Sequence, residues 1–102
     1  MKKQLLANLK AIDPDTALWG ICSCAVVGMS FDDETMADIW LRAAFRDWPE
    51  FSGSPAYPVR HTKLHPMYAY NRHKRWSKHT PYGRARRRLL KFLIRRLEDE
   101  LR

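Results

Sequence analysis

Apolar positions recur with a helical period in three stretches of this chain, and the period fails in a fourth. In residues 2–12, Leu5, Leu6, Leu9 and Ile12 fall at spacings of one, three and three, which predicts a short amphipathic helix. Asp13-Pro14-Asp15 ends it and opens a turn, because the residue before a proline is pushed out of helical backbone angles. Ala17–Met29 is apolar on every side, and its small residues (Ala17, Gly20, Ala25, Gly28) let neighbours approach closely. This reads as a buried helix, with a buried strand as the alternative, since periodicity does not separate the two at this length. Asp32 or Asp33 suits the next N-cap, and Glu34 in the first turn complements the helix dipole. Met36, Ile39, Trp40, Ala43, Ala44 and Trp48 then predict one buried face, and Pro49 stops the helix.

From Pro49 to Thr80 the period disappears. Pro49, Pro55, Pro58 and Pro66 deny the segment a long helix or a central strand. Its Phe51, Tyr57, Val59, Leu64, Met67, Tyr68, Tyr70 and Trp76 make it too apolar for a free linker, so an ordered loop packed over the helices is expected. Gly53 suits a turn of positive φ. Thr80-Pro81 is a strong helix start, with Thr at the N-cap and Pro at the first helical position. The helix then runs to about Leu101, burying Ala85, Leu89, Phe92, Leu93 and Leu97, with Leu101 extending the stripe. The predicted fold class is mostly α: three or four helices with a long ordered Pro/aromatic loop between the last two. The 102 residues form one domain, in which residues 1–48 are helical, 49–80 are the loop and 81–101 are the C-terminal helix.

A hydrophobic fraction of 45% is ordinary for a globular chain and excludes wholesale disorder. Met1-Lys2-Lys3 is followed by an amphipathic stretch rather than an apolar one, so no secretory signal is expected. Ala17–Met29, 13 residues interrupted by Ser23, is too short to span a bilayer. Cys22 and Cys24 make no disulfide framework, which suits a reducing cytoplasm.

Charge changes the picture most. Residues 1–59 carry five basic and eight acidic side chains, whereas residues 60–102 carry fourteen basic and three acidic. From Arg60 to Arg88 there are ten Lys or Arg, all four histidines and no Asp or Glu. A block of like charge repels itself, so water or an anionic partner must attend it. The last helix even opposes its own dipole. Arg84, Arg86, Arg87 and Arg88 crowd its positive end, and Glu98, Asp99 and Glu100 crowd its negative end. Each such exposed charge costs about 0.3–1 kcal/mol. Arg95–Asp99 and Arg96–Glu100 pairs recover about 0.2–0.5 kcal/mol each at the far end. No acid lies within twenty residues upstream of the arginines, so an external anion is the expected partner. A solvated basic face, screened by salt, is the plain alternative.

Just upstream, Tyr68, Tyr70, Arg72, Lys74, Arg75 and Trp76 interleave rings with cations. Single-stranded nucleic acid is bound by that mixture, with rings stacking on bases and cations tracking phosphates. The same mixture supplies hot spots at protein interfaces, and the rings also suit packing onto the helices. Together with Arg84, Arg86, Arg87 and Arg88 these six residues are the predicted partner-binding set. Trp48-Pro49, Phe51 and Tyr57-Pro58 form a second conspicuous group. A cis bond at either aromatic–proline step would fix the loop and offer a contact for a prolyl isomerase; a structural Ω-like loop is the plainer reading.

Chemistry beyond binding finds little footing. Cys22, Cys24, His61 and His65 contain the ligand types of a zinc site, but the cysteines sit in an apolar run and read better as buried, inert thiols. No metal or cofactor is expected. Asp32, Asp33, Glu34 and Asp38 begin a helix and need no other explanation, and no nucleophile elbow, P-loop or HExxH pattern occurs. A non-catalytic protein is expected.

The run from Trp48-Pro-Glu-Phe-Ser-Gly to Val59, then Ala69-Tyr70, Lys74-Arg-Trp76 and Thr80-Pro-Tyr-Gly-Arg84 through Ile94, resembles small accessory proteins of tailed bacteriophages and prophages. The resemblance covers roughly residues 48–94, about half the chain. It implies a setting in the cytoplasm of a bacterial host. It also implies a partner among host DNA-processing or defence enzymes, such as the RecBCD exonuclease or a CRISPR effector. No catalytic residue is carried over, and direct nucleic-acid binding by the basic segment is the alternative.

Overall fold

The computed structural model describes residues 1–13, 23–49 and 81–102, the side chains of residues 81–83 and 85 excepted. The described residues are mostly helical and contain no strand. Helix α1 spans Lys2–Lys10, α2 spans Phe31–Asp47 and α3 spans Pro81–Glu100. The predicted Pro/aromatic loop lies almost wholly outside the described residues, as do Gly53 and the Thr80 cap.

Leu5 and Leu9 are buried on α1 and Ile12 just beyond its end, with Leu6 packed at the edge, as their spacing predicts. The apolar run before α2 is less helical than expected over the residues described. A helical turn at Ser23–Ala25 gives way to a tight turn, with amide-to-carbonyl bonds three residues apart from Val26, Val27 and Met29. Gly28 adopts φ +78°, and a Cβ built on it would meet nothing within 4 Å. Its value is therefore the left-handed turn rather than close approach. Ala25 is buried, but Cys24 and Val27 are exposed, so the expectation of a buried, inert thiol fails for Cys24. Asn8, which no pattern singles out, holds this turn. Its Nδ2 donates to the carbonyls of Ala25 at 2.8 Å and Val27 at 2.9 Å, while Gln4 Nε2 donates to its Oδ1 at 2.8 Å. Carbonyls at the end of a short helix lack internal partners, and α1 supplies the donor.

At the start of α2 the cap is Ser30, not Asp32 or Asp33. Its Oγ accepts the Asp33 amide at 3.2 Å, which moves all three acids into the first turn. The dipole favours them there. The helix ends as predicted: Trp48, preceding Pro49, is extended at ψ 127°. The Trp48–Pro49 bond is trans, since no cis peptide occurs among the described residues.

The buried face of α2 differs from the predicted one. Ala37, Leu41, Ala44, Phe45 and Trp48 are buried, whereas Met36 and Ile39 are 55% and 59% exposed and Ala43 is also exposed. Ile39 stands two residues from both Ala37 and Leu41, about 200° round the helix from each. The predicted stripe leaves Leu41 and Phe45 outside the core. Burying those two large side chains stabilises by roughly 1.5–3 kcal/mol each, which favours the observed face.

One core joins the three helices: Leu5 and Leu9 from α1 with Ile12 just beyond its end, the α2 face just named, and Leu89, Leu90, Leu93 and Leu97 from α3. Helices α1 and α3 pack directly on one another. Lys2 Nζ reaches Glu100 at 2.9 Å and Lys10 Nζ reaches Glu98 at 3.1 Å, so both ends of α1 converge on the last turn of α3. Leu101 is 36% exposed and does not extend the stripe.

Candidate partner-binding face

Helix α3 carries two seams with the same spacing. Arg86, Leu90, Leu93 and Leu97 stand at i, i+4, i+7 and i+11, and all four are buried. Arg84, Arg88, Lys91 and Arg95 repeat that spacing two residues out of step, and all four are exposed. A two-residue offset is about 200° of rotation, so the second seam runs along the opposite side of the helix. Neighbours within it are about 5–6 Å apart at Cβ, and the row spans roughly 16 Å. The result is a straight line of four cations facing outward.

Beside that line, half-buried Arg87 joins Leu90, Lys91 and Ile94 around an open groove of about 360 Å³. Two cations and two aliphatic side chains in its lining suit an acidic segment that also carries apolar groups.

Arg86 departs from the predicted set. It is 0% exposed and sits in the leucine seam, so it does not belong to the outward face. The periodicity contains this: counting back from Leu97 through Leu93 and Leu90 arrives at Arg86, while charge alone groups it with its neighbours. Lys91 and Arg95 are the converse case, missed because they stand apart from the arginine run. Each of Arg84, Arg86, Arg87 and Arg88 takes part in an interaction within the chain, which corrects the expectation that nothing local attends them. Asp47, a carboxylate on α2, pairs with Arg96 instead, at 2.7 Å.

Helix α3's acidic end is settled by other helices more than by its own. Glu100 accepts Trp40 Nε1 at 3.0 Å on both carboxylate oxygens and pairs with Lys2, while Arg96 stands farther off at 3.7 Å. Burial pulls the Glu100 pKa up, but the hydrogen bonds from Lys2 and Trp40 and the charges of Lys2 and Arg96 outweigh it. The net value lies below the ordinary 4.5. The anticipated Arg95–Asp99 pair gives way to Asp99 with Arg102 at 3.5 Å.

Of the remaining predicted residues, Trp48 is 3% exposed and belongs to the core, and Pro49 is exposed. Phe51, Tyr57, Pro58, Tyr68, Tyr70, Arg72, Lys74, Arg75 and Trp76 lie outside the described residues, as do Cys22, His61 and His65 of the zinc set. Among the described residues no group of three or more His, Cys, Asp or Glu is arranged to hold a metal ion. None of the described helices is long and apolar enough to cross a membrane. No protein family, curated protein or solved structure matches the chain.

Proposed function

We propose that this chain is a non-catalytic accessory protein of a phage or prophage that binds a host DNA-processing or defence enzyme in the bacterial cytoplasm. The observation that carries the reading is the outward row of Arg84, Arg88, Lys91 and Arg95, which stands on a helix anchored by a leucine seam on its other side. A row of cations on a rigid element holds its geometry before the partner arrives, so little ordering entropy opposes binding. The row begins at the positive end of the helix dipole, which adds to the attraction for an anionic surface. Acidic protein surfaces that mimic or guard a nucleic-acid channel have the complementary charge, and guanidinium forks pair with their carboxylates.

The experiment is capture of partners from bacterial lysate by the intact chain and by a variant carrying Arg84→Glu, Arg88→Glu, Lys91→Glu and Arg95→Glu. Arg86 is left unchanged because its replacement would disturb the core. Loss of one reproducible host enzyme from the variant, with helicity unaltered, supports the reading. Equal recovery from both proteins sinks it.

Direct nucleic-acid binding is the second reading, favoured by the even spacing of the same row, which suits a regularly charged polyanion. It requires affinity for an arbitrary oligonucleotide to fall steeply with salt, since each phosphate contact releases counterions. Absence of binding at low salt removes it.

A further inference from the structure

The start of α2 holds a groove that is the electrostatic counterpart of the one on α3. It has a volume of about 370 Å³, and Val26, Phe31, Glu34, Asp38 and buried Leu41 are among the residues that line it. Phe31, which lines it, is 82% exposed. Isolated exposed apolar side chains are ordinary, but an aromatic ring exposed at the edge of a groove offers a surface for a partner to cover. Glu34 and Asp38, the latter also paired with Arg42 at 3.0 Å along the helix, give the groove an acidic character that suits a basic partner carrying aliphatic side chains. The α3 groove, with Arg87 and Lys91 beside Leu90 and Ile94, has that composition.

We propose that copies of this chain associate by seating the basic groove of α3 in one copy against the acidic groove at the start of α2 in another. The contact joins two different surfaces. Two copies pair reciprocally if the rotation closes, and a row of copies forms if it does not. Charge directs the pairing against the general repulsion between molecules of net charge +8, and the apolar side chains supply the dehydrated centre. Lys91 belongs both to the α3 groove and to the outward cation row, so the variant at the α2 groove, which leaves that row intact, separates this inference from the proposed function.

Sedimentation velocity over a concentration series tests it at about 0.1 M salt, where the Debye length of about 10 Å screens long-range repulsion but spares close pairs. Wild-type protein is expected to associate, and less so as salt rises. Glu34→Lys with Asp38→Lys, and separately Arg87→Glu with Lys91→Glu, each weaken association by about tenfold or more, through like charges set face to face. An equimolar mixture of the two variants regains association, because each keeps the groove that the other has lost. Phe31→Ser, at an exposed position, weakens association without touching either charge set or the core. Circular dichroism confirms that each variant remains helical. A wild-type protein that stays monomeric throughout the series overturns the proposal, and so does a mixture that behaves like its separate components.

Discussion

Helices α2 and α3 solve the problem of their own termini in opposite ways. In α2 most local rules agree: Ser30 caps the first turn, three acids follow it, and Arg46 stands in the last turn beside the single opposing charge of Asp47. The helix would be favoured by its own sequence even before it packs. In α3 the rules conflict, with no acid in the first turn and no base in the last. What replaces them at the far end is tertiary: Lys2 and Lys10 from α1 and Trp40 from α2 all reach its terminal carboxylates. A helix whose charges suit its dipole is locally self-sufficient. One whose charges oppose it depends on neighbours.

The contrast is broken most severely through the core of α2. Phe45→Ala, at a fully buried position, is expected to cost about 3–5 kcal/mol in urea unfolding. Ile39→Ala, on the outward side of the same helix, should stay within about 0.5 kcal/mol of wild type. A larger loss at Ile39 than at Phe45 would mean that the face is the one the sequence pattern predicts.

A smaller effect tests local self-sufficiency. Ser30→Ala removes the acceptor for the Asp33 amide and should lower stability by about 1 kcal/mol. Asp32→Ala, at a position the pattern favours as a cap, should cost less, because it removes only a charge near the dipole.

Smallest is the response of the α3 terminus to acid. Folding lowers the Glu100 pKa, so as pH falls the unfolded chain takes up this proton before the folded one does. The stabilisation is therefore complete above the ordinary value of 4.5 and is lost as pH falls through the lowered folded value. Because the Lys2–Glu100 pair is partly exposed, the contribution should be below about 1 kcal/mol and shrink with salt. Glu100→Gln should flatten that stretch of the stability–pH curve while leaving the neutral-pH fold intact. An unchanged curve would show that the three-helix junction does not hold a charged carboxylate.

Much of the helical architecture was legible along the chain. The α1 stripe and the stop at Pro49 follow from spacing and backbone sterics, and so does the leucine seam of α3 from Leu89 onward. The candidate face was only partly legible. Clustered charge drew Arg86 into it, although the leucine period points that side chain inward, and it left out Lys91 and Arg95, which share a side with Arg84 and Arg88. On α2 two apolar stripes overlap at Ala44 and Trp48, and nothing in the pattern says which one meets the other helices.

By itself, the sequence determined where helices begin and end to within a few residues, because caps, prolines and dipoles act over one turn of chain. It also determined that positive charge accumulates after residue 59, which no folding can undo. Only the tertiary structure decided which side of α2 is buried, which arginine leaves the surface, and that Asn8 and Glu100 tie separate elements together. Those outcomes depend on what stands opposite each side chain. Asn8 meets a carbonyl 17 positions away and Trp40 a carboxylate 60 positions away, for reasons of packing that no short window of sequence contains.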